Sequence, residues 1–244
     1  MLASMIDDRV LGAPEAQLAA FRHNRPSPWL LFPSFLEDTA FEELRRTFPA
    51  RQLFELQKGI RRPGKQRPHD RFYLAFESRS HRARARREHP DQGLVAYETL
   101  AEPWQRFLDE LRSEAYERFL TTLFGRPPEL RFAWHISFRG SEVSPHLDSR
   151  RKLGTHIFYF NGDDDWREEW GGQTLMLADK QTPRPNPDFS DFGEVITPPM
   201  LGNHSLLFQR TDDSWHGVER LSCPEDAYRR TFHVIASEPS HEPS

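Results

Sequence analysis

Hydrophobic patterning changes texture near residue 128. Before that point apolar residues fall at helical spacing: Trp104, Phe107, Leu108, Leu111, Ala115, Phe119, Leu120 and Leu123 recur every three or four residues between Pro103 and Phe124, until Gly125 and Pro127 stop the run. Such spacing places one apolar stripe on one side of a helix, and the stripe reads as core, not as a cofactor box. Further upstream, Thr39-Ala40-Phe41-Glu42 has the capping-box pattern of a helix start, with an end expected near Pro49. Pro28-Trp29-Leu30-Leu31-Phe32-Pro33 reads as a short strand fenced by prolines.

Beyond Pro128 the chain turns to short runs of β-branched and aromatic residues separated by Gly, Pro, Asn and Asp, at 130–138, 143–148, 154–161, 173–178, 194–197, 204–209, 215–220 and 228–236. Strands in this number without intervening helices predict a mainly β fold with N-terminal helices, of the α+β kind, closed as a jelly roll or barrel. Residues 180–193 form a proline-rich surface connection. One domain is expected over 1–244, with a helical support and lid region over 1–128 and a β core over 129–237.

Composition narrows the class. With 244 residues, 36% hydrophobic content, 19 Phe and 6 Trp, the chain can bury a sizeable core. No run approaches the 18 or so apolar residues of a membrane span, and Met1 to Ala20 carries Asp7, Asp8 and Glu15 instead of a basic flank and an apolar stretch. A cytoplasmic location without membrane contact is therefore expected. The single cysteine, Cys223, excludes an intrachain disulfide and a cysteine-rich zinc site. Charge is uneven around a net of −4: eleven Lys/Arg lie between Lys58 and Arg87, and five acidic residues lie between Asp163 and Glu169. Blocks of this kind usually mark solvated surface, and with no nucleic-acid fold signature beside them no nucleic-acid partner is expected.

The candidate chemistry sits in Pro145-His146-Leu147-Asp148 and, much later, Ser214-Trp215-His216-Gly217. In an extended strand His146 and Asp148 point the same way, with Cα atoms roughly 6 to 7 Å apart, so they can share one metal ion. His216 would complete a two-histidine, one-carboxylate facial triad, the donor set of non-haem Fe(II) oxygenases. A His-x-Asp triplet alone is weak evidence in a chain with 11 histidines. His135, His156 and His204 lie in expected strands without a carboxylate two residues on and read as structural; His23, His69, His81, His89 and His241 read as surface.

Between about 130 and 236 five elements occur in a fixed order: His146-Leu147-Asp148; Thr155-His156-Ile157-Phe158-Tyr159-Phe160-Asn161; Trp166 with Gly171-Gly172; Leu206-Leu207-Phe208 leading into Ser214-Trp215-His216-Gly217-Val218; and Arg229-Arg230-Thr231-Phe232-His233. In this order they resemble the prolyl-4-hydroxylase-like branch of the Fe(II)/2-oxoglutarate-dependent dioxygenases, above all its small bacterial members and the hypoxia-sensing prolyl hydroxylases. The resemblance implies a double-stranded β-helix as the catalytic core, with Fe(II) held by His146, Asp148 and His216, 2-oxoglutarate as co-substrate, O2, and ascorbate as an optional accessory. Arg229, in preference to Arg230, would pair with the distal carboxylate of 2-oxoglutarate, aided by Tyr159 and Thr231; His233 reads as a core histidine. Asp148 stands where the related halogenases carry a small residue, which favours hydroxylation, or a desaturation or ring closure, over halogenation. The chain departs from the pattern in its acidic 163–169 segment, a long turn before Arg229 and the second arginine that follows it.

Three functions follow from this reading. The first is a hydroxylase of a small-molecule or amino-acid-type substrate; the second, a hydroxylase of prolyl or other protein residues; the third, a non-catalytic jelly-roll module that holds metal or sugar. The segment 55–90, without a strong pattern of its own, is the expected lid, and Arg61, Arg62 and Arg71 within it point to an anionic group on the substrate.

Overall fold

The computed structural model describes residues 3–12, 14–60, 67–77 and 92–239. Arg61, Arg62, Arg79, Arg82, Arg84, Arg86, Arg87, His81, His89 and His241 lie outside these. Five helices, α1 (Asp8–Gly12), α2 (Pro14–His23), α3 (Asp38–Arg46), α4 (Glu102–Leu111) and α5 (Glu114–Phe124), occupy the N-terminal half of the described chain. They are joined by the strands β1 (Trp29–Phe32), β2 (Glu55–Gln57), β3 (Arg71–Phe76) and β4 (Leu94–Val95). All eight strands expected beyond Pro128 are present, as β5 (Glu129–Ser137), β6 (Val143–His146), β7 (Lys152–Tyr159), β8 (Leu175–Lys180), β9 (Phe192–Ile196), β10 (Ser205–Gln209), β11 (Trp215–Val218) and β12 (Arg229–Ser237).

The strands form two sheets. The major one has the order β1-β10-β7-β12-β5-β3-β2, with β4 added alongside β3; the minor one has the order β6-β11-β8-β9. Strand alternation explains how the major sheet serves two purposes. On β12, Phe232, Val234 and Ala236 join the aromatic core beneath the helices, whereas Arg229, His233 and Ile235 line a cleft on the other side. On β5, Phe132, Trp134 and Ile136 face the helices and Arg131, His135 and Ser137 face the cleft. Trp104 and Phe107 of α4 meet Phe232 at ring-centroid distances of 5.3 and 5.7 Å, so the predicted helical stripe is buried on this sheet.

Three local readings are corrected. The run from Pro103 to Phe124 is two helices, because Arg112 ends α4 and the Ser113 side chain caps α5 by accepting a hydrogen bond from the Tyr116 amide. Thr39 does not cap α3: the cap position is Glu37, two residues earlier, and it makes no side-chain cap bond. Part of the expected lid is sheet, since β3 pairs with β5 from Phe72↔Ile136 to Ala75↔Ala133. Tyr73 to Phe76 are buried, so β3 shows a continuous apolar run instead of alternation.

Candidate metal centre

His146 and His216 are direct partners across the β6–β11 ladder. Cross-strand partners hold their Cβ atoms about 5 Å apart on the same face, and the two imidazole centroids are 4.4 Å apart. Each ring is oriented by the same local device: Nδ1–H of His146 donates to the Ser144 carbonyl (3.0 Å) and Nδ1–H of His216 donates to the Ser214 carbonyl (2.9 Å). A backbone acceptor at Nδ1 fixes the tautomer that leaves the Nε2 lone pair available as a ligand. Asp148, just past the end of β6, brings Oδ1 to 3.9 Å from His146 Nε2. One ligand atom from each of the three residues lies within 4.8 Å of the others. Two oriented imidazoles and a partly buried carboxylate at this spacing fit a divalent transition metal, with one hemisphere of coordination left open.

Asp148 is held from the side by Lys152, whose Nζ donates to Oδ1 at 2.7 Å. Burial by itself would raise the carboxyl pKa; Lys152, His216 and His146 overcome it and hold the group far below the usual carboxylate range. His69, read from the sequence as a surface residue, belongs here too: its ring lies 4.9 Å from that of His146, and it lines the cleft. Its proline-rich surroundings hid a position that only the fold brings to β6.

The cleft between the sheets has a volume of about 880 Å3 and runs from these ligands to Arg229. Arg229 is buried, its Nε donates to the Gly172 carbonyl at 2.6 Å, and its guanidinium lies 5.4 Å from the Tyr159 ring centroid. Among the described residues no carboxylate pairs with it. Burial pulls its pKa below the ordinary value and Tyr159 opposes that shift. Gly172 has φ +105°, and a Cβ there would come within 3.0 Å of Arg229 Cδ, so the glycine is what allows this approach. Arg230 points to the opposite face, where Asp165 holds it; Arg45 pairs with Asp164 and Asp165 in the same network. The acidic segment therefore satisfies the second arginine on that face.

Tyr159 and Thr231 do not line the cleft. The Tyr159 hydroxyl donates to Thr174 Oγ1 at 2.9 Å, and the Thr231 hydroxyl pairs with His233 Nε2 at 2.9 Å. Thr174, which does line the cleft and lies 3.4 Å from Arg229 Nη2, carried no signal in the sequence beyond its place two residues after the glycine pair. His135 and His233 pack against each other on the cleft floor with centroids 4.0 Å apart and ring planes tilted by 46°, whereas His156 is sealed in the core between Tyr116 and Ser205.

No family model and no curated protein matches the sequence. Solved structures do match. A Pseudomonas putida prolyl-4-hydroxylase superposes with a TM-score of 0.56 at 16% identity, over 95% of this chain and 100% of that one. A Trichoplax adhaerens prolyl hydroxylase, in complex with a hypoxia inducible factor oxygen degradation domain peptide fragment, gives 0.57 at 13% identity, over 94% and 90%. The non-heme alpha ketoglutarate dependent carbocyclase SnoK from nogalamycin biosynthesis gives 0.54 at 11% identity, over 91% and 83%. The chain has their fold. This is the double-stranded β-helix of the 2-oxoglutarate/Fe(II) oxygenases. In that fold the cleft opens between the two sheets, where His146, Asp148, His216 and Arg229 lie.

Proposed function

We propose that the chain is an Fe(II)- and 2-oxoglutarate-dependent dioxygenase that hydroxylates an unactivated C–H bond of a small-molecule or amino-acid-type substrate and releases succinate and CO2. One observation carries this reading: a His146/Asp148/His216 donor cluster and a buried guanidinium without a carboxylate partner face the same cleft from opposite sheets. A buried, unpaired charge is costly, and an anionic ligand is what offsets it. Arg229 would hold the distal carboxylate of 2-oxoglutarate, for which its planar fork of donors is suited. Thr174 offers a hydroxyl beside it, Tyr159 orients Thr174 from below, and Thr231 acts through His233. When bound, Fe(II) and 2-oxoglutarate supply the oxidising power, with one atom of O2 going to the substrate and the other to succinate. The chain contributes the rest: Ser144 and Ser214 aim the two imidazoles, Lys152 holds Asp148 ionised, and the apolar wall of Val143, Ile157, Phe208 and Val218 limits water at the reacting centre.

The test is an anaerobic titration with Fe(II) and 2-oxoglutarate, reading the visible metal-to-ligand charge-transfer band. Wild-type protein is expected to develop it, His146→Ala to lose it, and Arg229→Ala to need more 2-oxoglutarate. Absence of the band in folded wild type would overturn the oxygenase reading in favour of a binding module for metal or sugar. A hydroxylase of prolyl or other protein residues is the second reading, favoured by the prolyl hydroxylases among the similar structures. Stimulation of 2-oxoglutarate turnover by members of a peptide array would select it.

A further inference from the structure

The oxygenase reading uses one of two cleft-lining arginines that, among the described residues, have a buried guanidine nitrogen and no carboxylate partner. The other is Arg71, at the start of β3. Its side chain lines the cleft, its guanidinium lies 5.3 Å from the Tyr73 ring centroid, and its Nε is buried without a hydrogen-bond partner. No carboxylate among the described residues forms an ion pair with it. Asp148 is near enough to act on it electrostatically but is already bonded to Lys152. Glu55 on the neighbouring β2 does not line the cleft.

A second unsatisfied atom lies beside it. His135 is the register partner of Tyr73 across β3–β5, its ring is 5.2 Å from that of Tyr73, and its Nε2 is buried without a partner. Tyr73 thus contacts both orphaned groups, and Arg131 lines the same wall. Charge across the whole cleft agrees. Among the described residues four cations, Arg71, Arg131, Lys152 and Arg229, line it against two carboxylates, Asp70 and Asp148. A divalent metal and the dianionic 2-oxoglutarate cancel each other, so two positive charges remain for a third ligand.

We propose that Arg71 and His135, with Arg131 at the rim, form an oxyanion subsite that holds a carboxylate or phosphate group of the substrate while its C–H bond faces the metal centre. This rests on the oxygenase reading and assigns the substrate class: a compound that carries such a group within reach of the oxidised carbon. The guanidinium supplies a planar fork of donors, and the imidazole, neutral in this buried place, supplies one more.

The test uses benzoate, phenyl phosphate and the uncharged benzyl alcohol as probes, titrated calorimetrically into anaerobic protein saturated with Fe(II) and 2-oxoglutarate. At least one anion is expected to bind more tightly than the alcohol, and the tighter of the two names the group. Arg71→Gln should weaken that anion about tenfold or more, the worth of one charge-assisted pair, Arg71→Lys should weaken it less, and both should leave 2-oxoglutarate affinity unchanged. Binding that ignores charge, or an Arg71→Gln protein that loses affinity for 2-oxoglutarate instead, would overturn the subsite. Repeating the titration on metal-free Arg229→Gln protein separates the two proposals. Anion binding that persists there and still depends on Arg71 keeps the subsite even if iron and 2-oxoglutarate fail to bind; its disappearance assigns all anion affinity to Arg229. As a folding control, the urea midpoint of the metal-free Arg71→Gln protein should equal or exceed that of wild type, because a buried charge without a partner has been removed; a structural role for Arg71 would lower it.

Discussion

Arg229 and Arg230 are neighbours in sequence with opposite surroundings, and strand alternation is the whole reason. One faces Gly172, Thr174 and the cleft, and the other faces Asp165. Their substitutions should therefore separate cleanly. Arg229→Gln is expected to weaken 2-oxoglutarate binding roughly ten- to hundredfold, while Arg230→Gln leaves it intact and costs at most about 1 kcal/mol of stability, as befits a partly exposed ion pair. Titration of the charge-transfer band and urea unfolding of both variants check this. Equal loss of affinity in both would contradict the face assignment. A second residue-scale prediction concerns His156, which burial holds well below its ordinary pKa. The folded state keeps this ring neutral, whereas the unfolded chain takes up a proton below about 6.5. Stability is thus fully present above that pH and is lost as pH falls below it, by up to about 1.4 kcal/mol per unit for each such histidine. His135 and His233, also lowered chiefly by burial, add to the slope. Urea midpoints between pH 7.5 and 5 should show the decline, and His156→Leu, although less stable overall, should show a shallower one. The His146, Asp148 and His216 cluster was legible because the first two stand two residues apart in an expected strand, although β6 ends at His146, and the third follows in a recognisable order. His69 and Thr174 were not, since tertiary contacts alone bring them to the cleft.

At the scale of elements, periodicity resolved every strand beyond Pro128 yet missed the break between α4 and α5. The stripe of Trp104, Phe107, Leu111, Ala115 and Phe119 continues across Arg112 and Ser113, so hydrophobic spacing alone gives no sign that one helix has ended and another begun. Polar detail carries the signal: Ser113 accepts from the Tyr116 amide at 3.3 Å, and Glu114 and Glu117 fill the first turn of α5. β3 was missed for a different reason. Buried from Tyr73 to Phe76 and preceded by a basic, proline-containing stretch, it lacks the alternation that marks a half-exposed strand. The cap can be tested by Ser113→Ala, expected to lower stability by about 1 kcal/mol. Because α5 carries Tyr116, which bonds to His156 on β7, the loss should register in global unfolding. Metal and 2-oxoglutarate affinities should stay unchanged, since α5 lies on the far side of the major sheet from the cleft. A shift in either affinity would mean that the helical layer controls the cleft geometry directly.

Across the whole molecule, the proposed ligands divide between the sheets. His146 and His216 belong to the minor sheet, whereas Arg229 belongs to the major one. Metal alone ties β6 to β11, which are already paired, and Asp148 to them. On the proposed function, 2-oxoglutarate would be held at the metal by one end and at Arg229 by the other, and so would join the sheets to each other. Two separable increments in thermal stability follow. At a hundredfold excess over its Kd, each ligand stabilises the fold by about 2.7 kcal/mol, worth roughly 5–10 °C for a chain of this size. Metal should raise Tm in wild type and in Arg229→Gln alike, since that side chain takes no part in its coordination. The further rise on adding 2-oxoglutarate should appear only after metal, and in Arg229→Gln at the same concentration it should shrink to about 0.4–1.4 kcal/mol, because ten- to hundredfold weaker binding leaves only about a one- to tenfold excess. Chelation should return Tm to the metal-free value without unfolding the protein, because the aromatic core between helices and major sheet contains none of the ligands. A 2-oxoglutarate increment undiminished in Arg229→Gln at the same ligand concentration would place the distal anchor elsewhere, with Arg71 the first alternative to test. If the increment appears without metal, the anion is held by the guanidiniums alone and the proposed bridge between sheets fails.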